Sequence, residues 1–346
     1  MSPRTALVLT SINSPNAALR ALRDGSRAAG IRFLLVGDTK SPAEFTLEGC
    51  EFLDLQAQRQ SGLGFATLCP TAHYSRKNIG YLVAIRDGTQ LILETDDDNM
   101  PRPAFFGPRE RMLRVPVVAS RGWVNVYRYF SDVLIWPRGL PLDQIHADLP
   151  VFDDLAVASA DCPIQQGLAD ANPDVDAIYR LLLPLPQDFF SDRRVALGAG
   201  SWCPFNSQNT AWWPDAFPLL YLPAYCSFRM TDIWRSFVAQ RISAANGWHI
   251  LFHEPTVWQD RNEHNLMRDF IDEVPGYVNN ARIREMLESL EIAPGVELIP
   301  ANLRRCYAAL VELGVIGQQE LPLLDAWLDD LVSACSWKPL QSTASK

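Results

Sequence analysis

The feature that most constrains this chain is an apolar run ending in a block of acids: Gln90-Leu91-Ile92-Leu93-Glu94-Thr95-Asp96-Asp97-Asp98-Asn99. A short apolar run without alternation reads as a strand covered on both faces, as in an α/β sheet. Met100-Pro101-Arg102-Pro103 follows and cannot continue a strand. Ligands of open α/β sheets bind just beyond the carboxyl ends of strands. Carboxylates crowded there, with no bases beside them in the sequence, need a cation to offset their repulsion. Hard ions such as Mg²⁺ or Mn²⁺ suit these oxygen ligands and commonly bridge to substrate phosphates. Along an extended chain Asp96 and Asp98 point one way and Asp97 the other. An idle acidic surface turn has the same composition. The buried strand before it, and a helix ending in Arg86-Asp87-Gly88 before that, favour a site.

The rest of the composition bounds the answer. A chain of 346 residues holds one large or two ordinary domains. No apolar run approaches the roughly 20 residues of a membrane span. Ala6 to Ile12 is too short for a signal peptide and reads as a strand. A formal net charge of −9 argues against a nucleic-acid partner. Seven scattered cysteines without C-x-x-C spacing suggest free thiols in a reducing compartment, and hence a cytoplasmic setting.

Ala6 to Ile12 is followed by the polar loop Asn13-Ser14-Pro15-Asn16, a helical pattern from Ala17 to Ala29, and Gly30 as its stop. Ile31 to Val36 is a second strand, Cys50 to Leu55 a weaker third. Strand–helix–strand spacing predicts a parallel sheet with right-handed crossovers. No G-x-G-x-x-G follows the first strand, so a nucleotide would be held by Thr10, Ser11, Asn13 and Asp38 instead. Asp38 can accept from a base or ribose, or cap its own turn. Arg76 and Lys77 open the helix that leads to the acidic strand. Cations there oppose the helix dipole, an arrangement easier to understand if a phosphate sits between them.

Three groups of residues carry a family resemblance. They are Ser75-Arg76-Lys77-Asn78-Ile79-Gly80-Tyr81-Leu82, Glu94-Thr95-Asp96-Asp97-Asp98-Asn99-Met100-Pro101, and Trp123-Val124-Asn125-Val126-Tyr127 with Ile135-Trp136-Pro137-Arg138-Gly139-Leu140-Pro141. In this order they resemble the STELLO-type glycosyltransferase family, which is distantly similar to the reversibly glycosylated polypeptides of plants. The resemblance covers much of residues 70–270. It implies an α/β fold of the GT-A type, a Rossmann-like mixed sheet with flanking helices. It also implies a nucleotide-sugar donor (UDP- or another NDP-sugar) and a divalent metal, Mn²⁺ or Mg²⁺, on a D-x-D pair, Asp96 and Asp98. Asp96 and Asp97 would face the donor. Plant members are anchored in the Golgi by a transmembrane helix. Without one, this chain is expected to be a bacterial, cytoplasmic relative acting in glycan or polysaccharide synthesis.

Beyond a linker-like stretch from Pro150 to Asp161, Asp174 and Asp176 flank a valine. Asp176 is read as positioning the acceptor, with an acidic helix start as the alternative. Asn206, Gln208 and Asn209 belong to a run of amides and hydroxyls suited to sugar hydroxyls, or to satisfying its own loop. A helix opens near Thr231, a plausible cap, and runs to about Ala245. The GT-A resemblance implies a carboxylate base at such a helix start, which makes Asp232 the candidate in an inverting reaction. It also implies a histidine ligand from this half, His264 ahead of His253, with Arg261 offsetting charge on the leaving diphosphate. Three helical patterns after Pro275 suggest an appendage for packing, homodimerisation or partner docking, and Pro339 to Lys346 a disordered tail. The expected parts are therefore a donor half (1–150), an acceptor half (151–275), a helical C-terminal appendage (276–338) and a tail (339–346). Rival readings are a nucleotide-sugar mutase and a non-catalytic scaffold on a transferase fold.

Overall fold

The computed structural model describes residues 4–260, 265–335 and 337. The N-terminal half begins with Thr5–Thr10 (β1), Ala17–Ala29 (α1), Arg32–Val36 (β2) and Glu51–Leu53 (β3). Two short helices, Leu55–Gln60 (α2) and Gly64–Leu68 (α3), lead to Lys77–Arg86 (α4) and the acidic strand Leu91–Thr95 (β4). Next come Asn99–Pro101 (β5), Met112–Val118 (β6), Gly122–Trp123 (β7), Val157–Asp161 (β8) and Ile164–Asp170 (β9). Ala177–Leu182 (α5) precedes Arg194–Leu197 (β10), Ser201–Trp202 (β11), Asn209–Trp212 (β12), Thr231–Ala245 (α6) and Ile250–Gln259 (β13). Leu266–Ser289 (α7), Ile299–Glu312 (α8) and Glu320–Ser333 (α9) complete the chain.

Local signals account for the clearest boundaries. The Asn16 side chain accepts from Leu19 N–H at the start of α1. At its end Gly30, at φ 67°, turns the chain and donates to Arg27 O and Ser26 O. Between them Ala18, Leu19 and Leu22 face the sheet, the apolar stripe the spacing predicts.

The main sheet runs β3-β2-β1-β4-β12-β9-β13-β10-β6-β8, with β5 paired to β13. It is the mixed α/β sheet expected. β3, β2, β1 and β4 are parallel, so the chain leaves β1, β2 and β4 at one common edge. β12 is antiparallel to β4 and to β9, and therefore enters the sheet at that edge. β9 and β13 run parallel to each other and leave at that edge too. Segments far apart in sequence thus meet there: 11–13, 37–38, 96–98, 171–176, 204–208 and Gln259.

One contact ties these strands to the helices behind them. Glu94 of β4 is wholly buried, and Arg235 of α6 donates to both its carboxylate oxygens at 2.8 and 3.0 Å. Trp212 Nε1 of β12 donates to it at 2.8 Å, and the Tyr81 hydroxyl of α4 bonds to it as well.

Three expectations about organisation are corrected. The stretch from Pro150 to Asp161 is no linker, because β8 lies within it and pairs antiparallel with β6. Residues 1–150 and 151–275 share one sheet, since β12, β9 and β13 continue the sheet of β1 and β4. The boundary at 275/276 falls inside α7, which carries Pro275 in its interior. The last helices are part of the core and no appendage. Trp327 is fully buried against Phe65 and Tyr221. Asp330 of α9 accepts from Gly64 and Phe65 N–H, capping α3 from across the fold. Glu320 accepts from Ala224 and Tyr225 N–H. The expected disordered tail, 339–346, lies outside the described residues.

Helix α4 is buried from Lys77 to Ile85, and Gly80 lets it approach the sheet. A Cβ at Gly80 would lie 2.6 Å from Val8 Cγ1 and 2.7 Å from Val36 Cγ2. Gly80→Ala is therefore expected to overpack this contact and cost about 1–3 kcal/mol, read as a lower Tm in thermal melts. An unchanged Tm would mean that the helix can withdraw without loss.

Candidate active site

At the shared edge lies a cavity of about 540 Å³. Its volume is in the range of small-molecule sites. Thr10, Ser11, Asn13 and Asp38, then Asp96, Asp97 and Asp98, and then Asn206, Gln208 and Asp232 all line it. The sheet has thus brought together most of the residues singled out in the sequence.

The three aspartates have different partners. Asp97 accepts from Ser11 Oγ and, at 2.9 Å, from Asn13 Nδ2, while its main-chain oxygen accepts from Asn16 Nδ2. It therefore locks the β1 loop to the β4 loop. Asp98 accepts from Gln259 Nε2 at 3.1 Å through both oxygens. Asp96 lies 3.7 Å from Lys77 Nζ. The Asp96 side chain is 45% exposed, yet protein atoms crowd round it. Burial pushes its carboxyl up to about 8; Lys77 opposes this and the Asp98, Asp232 and Asp97 carboxylates add to it.

The basic pair is placed otherwise than expected. Arg76 is buried, with Nε donating to Gln58 Oε1 at 2.7 Å and Nη1 to Cys69 O at 2.8 Å. Lys77 is fully buried, with Nζ donating to Thr95 O at 3.0 Å and Ser207 O at 3.3 Å. Buried cations must be satisfied by neighbouring acceptors, so both brace loops; Arg76 still lines the cavity, whereas Lys77 does not. Lys77 remains the counter-charge behind Asp96.

Asp176 is corrected as well. It is fully buried at the N-cap of α5, accepting from Tyr179 N–H at 2.8 Å and Trp136 Nε1 at 2.7 Å. Asn209 is also turned inward: its Nδ2 donates to Leu168 O and Thr256 Oγ1, each at 2.9 Å. Neither residue lines the cavity. Asn206 and Gln208 do line it; Asn206 Nδ2 donates to Asp174 at 2.8 Å and Gln208 Nε2 to Asn99 Oδ1 at 3.3 Å.

Among the histidine candidates, His253 lies in mid-strand on β13, buried, with Nδ1 2.9 Å from Glu254 O and away from the cavity wall. Burial, with the Arg109 charge, lowers it to about 4. His264 and Arg261 lie outside the described residues. Among the described residues no three His, Cys, Asp or Glu side chains are gathered as a metal-binding group. Asp96 and Asp98 supply hard oxygens only.

Asp232 stands in the first turn of α6, beside a guanidinium that sequence reasoning passed over. Arg138 donates to both Asp232 oxygens, at 3.0 to 3.1 Å, and through Nε and Nη2 to both Asp174 oxygens at 2.8 Å. Burial works to raise the Asp174 carboxyl, but Arg138, helped by Arg229 and Asn206, holds it down to about 2. Asp232 also accepts from Ser207 N–H at 3.3 Å. Helix α6 is capped by neither Thr231 nor any neighbour in sequence, its N-cap Met230 offering no side-chain bond. The Tyr74 hydroxyl accepts from Asp232 N–H at 2.9 Å instead. Arg138 lay within a quoted motif, Pro137-Arg138-Gly139, and that was the available signal.

Comparison with known proteins agrees with the resemblance seen in the motifs. Residues 229–338 match the family model described as STELLO glycosyltransferases. The chain is 28% identical over 353 residues to STELLO1 of Arabidopsis thaliana, covering 96% of this chain and 45% of that protein. For STELLO2 of the same plant the identity is also 28%, over 94% of this chain and 44% of that protein. Both are described as probable glycosyltransferases. The similarity to these proteins runs along nearly the whole of this chain, which spans about half the length of the curated relatives it matches. Among solved structures, glucosyl-3-phosphoglycerate synthase of Mycobacterium tuberculosis, in complex with Mn²⁺, UDP-glucose and phosphoglyceric acid, aligns with a TM-score of 0.41 at 8% identity. That alignment covers 81% of this chain and 80% of that one.

The two roles considered for Asp176 are separable. As a cap with two buried bonds, Asp176→Ala is expected to cost about 1–3 kcal/mol of stability in denaturant melts. Nucleoside diphosphate affinity should stay within about twofold, on the order of 0.4 kcal/mol. A large loss of affinity at unchanged stability would return Asp176 to the substrate.

Proposed function

We propose that the chain is a metal-dependent glycosyltransferase of the GT-A type, moving a sugar from a nucleotide-sugar donor to a hydroxyl acceptor. The observation that carries this reading is that Asp96, Asp98, Asp232 and Arg138 line one and the same cavity. The STELLO similarity supports the reaction class.

A self-repelling carboxylate pair with one lysine behind it is a donor set that fits Mn²⁺ or Mg²⁺ held jointly with phosphate oxygens. Such an ion, when bound, supplies a Lewis acid that stabilises the leaving diphosphate. The chain's own residues do the positioning. Ser11 and Asn13, through Asp97, hold the two loops that flank the donor in one geometry. Asn206 and Gln208 offer amides to sugar hydroxyls. Asp232 receives the acceptor's proton if the reaction inverts. A specific observation favours a second role: the Arg138 fork and Ser207 N–H already occupy the Asp232 oxygens. In that case Asp232 orients Arg138 at the acceptor end, and the product keeps the donor's anomeric configuration. NMR of the product separates the two.

The finer reading follows the same line: a glycan or polysaccharide acceptor, a bacterial and cytoplasmic setting, Arg261 and His264 completing the donor and metal contacts, and a homodimer. No described helix is long and apolar enough to cross a membrane. A mutase would turn over donor alone, so product analysis without acceptor excludes or establishes it. Metal-dependent donor hydrolysis would dismiss the scaffold reading.

The metal reading predicts that Asp98→Asn, which keeps shape and removes charge, lowers UDP affinity in Mn²⁺ by about tenfold or more, or 1.4 kcal/mol. Affinity in EDTA should barely change. Isothermal titration in the two buffers checks this, and equal losses would assign Asp98 to the nucleotide or the fold.

A further inference from the structure

At the nucleotide end of the cavity one loop is held in a costly shape. Ala72 has φ 56°, a left-handed conformation that is strained for a non-glycine residue. The Asp38 carboxylate maintains it by accepting from Thr39 N–H at 2.7 Å, Ala72 N–H at 2.9 Å and His73 N–H at 3.0 Å. Strain of this kind persists where the surroundings over-determine it, often at ligand clamps.

The loop's product is a fixed imidazole. His73 Nδ1 accepts the Ser75 backbone N–H at 3.0 Å. A peptide N–H can only donate, so Nδ1 carries no proton and the neutral ring bears it on Nε2. Burial lowers the His73 pKa to about 4, with Asp38 opposing, so the ring is neutral at pH 7. It stacks on Tyr74 with centroids 5.8 Å apart and meets Phe228 edge-on at 5.4 Å, so it cannot swing freely. His73 and Asp38 both line the cavity, and among the described residues none accepts from His73 Nε2.

We infer that His73 reads the nucleobase of the donor by donating Nε2–H to a ring carbonyl, while Asp38 both sets the loop and accepts the neighbouring ring N–H. This deepens the nucleotide-sugar reading and rests on it. A carboxylate has about four lone-pair directions, and three here are taken by backbone N–H groups, which leaves one for the base. A donor beside an acceptor complements the lactam edge of uracil, thymine or guanine. Cytosine and adenine present the reverse order. In the same pose they set an amine against the His73 N–H and a bare ring nitrogen against the carboxylate, and unmatched polar groups are costly.

The test is isothermal titration of the full chain, in Mn²⁺, with UDP, dTDP, GDP, CDP, ADP and inorganic pyrophosphate. His73→Asn keeps an oxygen that can accept Ser75 N–H but removes the Nε2 donor; His73→Phe keeps the ring packing. The wild type is expected to bind at least one lactam nucleotide about tenfold more tightly than CDP and ADP, the worth of about one hydrogen bond. Both variants should lose that preference, with pyrophosphate affinity unchanged. Long-range ¹H–¹⁵N spectra of the wild type should show His73 protonated on Nε2 and its signals shifting with UDP. Three results would overturn the inference alone: selectivity unchanged in His73→Asn, a wild-type preference for CDP or ADP, or a proton on Nδ1. If no nucleotide binds at all, the nucleotide-sugar reading has failed and this inference with it.

Discussion

The buried Glu94 carboxylate, gripped through both oxygens by Arg235, is the contact on which the rest of the structure depends. Its partners come from α4, β12 and α6, so one side chain sets the spacing among the acidic strand, the strand beside it and two helices. A charge with no access to water must be matched locally, and breaking such a pair typically costs about 3–5 kcal/mol. Glu94 stands two positions before Asp96, and Arg235 three after Asp232. The pair that stabilises the core therefore also fixes the distance between the two acidic ends of the cavity.

The strand directions then explain why the cavity contains what it does. A parallel sheet alone would bring only the loops after β1, β2 and β4 to one edge. Because β12 enters antiparallel beside β4, the segment preceding it arrives at that same edge. This places Asn206 and Gln208 in the lining of the same cavity as those loops. Charge pairing completes the arrangement, with Arg138 drawing together Asp174 and Asp232 from segments 58 residues apart (232 − 174).

Several charged side chains act as braces. Arg76, Lys77, Asp97 and Asp176 were each singled out for type and position, and each is held mainly by protein partners. The reason is general: near a crowded cavity floor a charge is tolerated only where it is matched. A polar residue in a suggestive motif has two possible partners, the ligand and the fold, and the motif does not distinguish them.

By itself the sequence determined what contiguous residues can specify. The apolar run of β4 and its acidic end, the Asn16 and Gly30 limits of α1, and the helix from Thr231 to Ala245 all follow from local periodicity and capping. The mixed α/β class follows from their order. Only the tertiary structure decided which polar groups face the cavity, because hydrogen-bond partners there lie up to 161 residues apart, as for Asp98 and Gln259. It also decided that the last helices belong to the core, since amphipathic spacing shows that a helix has a face to bury and not what covers it. Asp330 capping α3 across 266 positions is a bond that no local pattern announces.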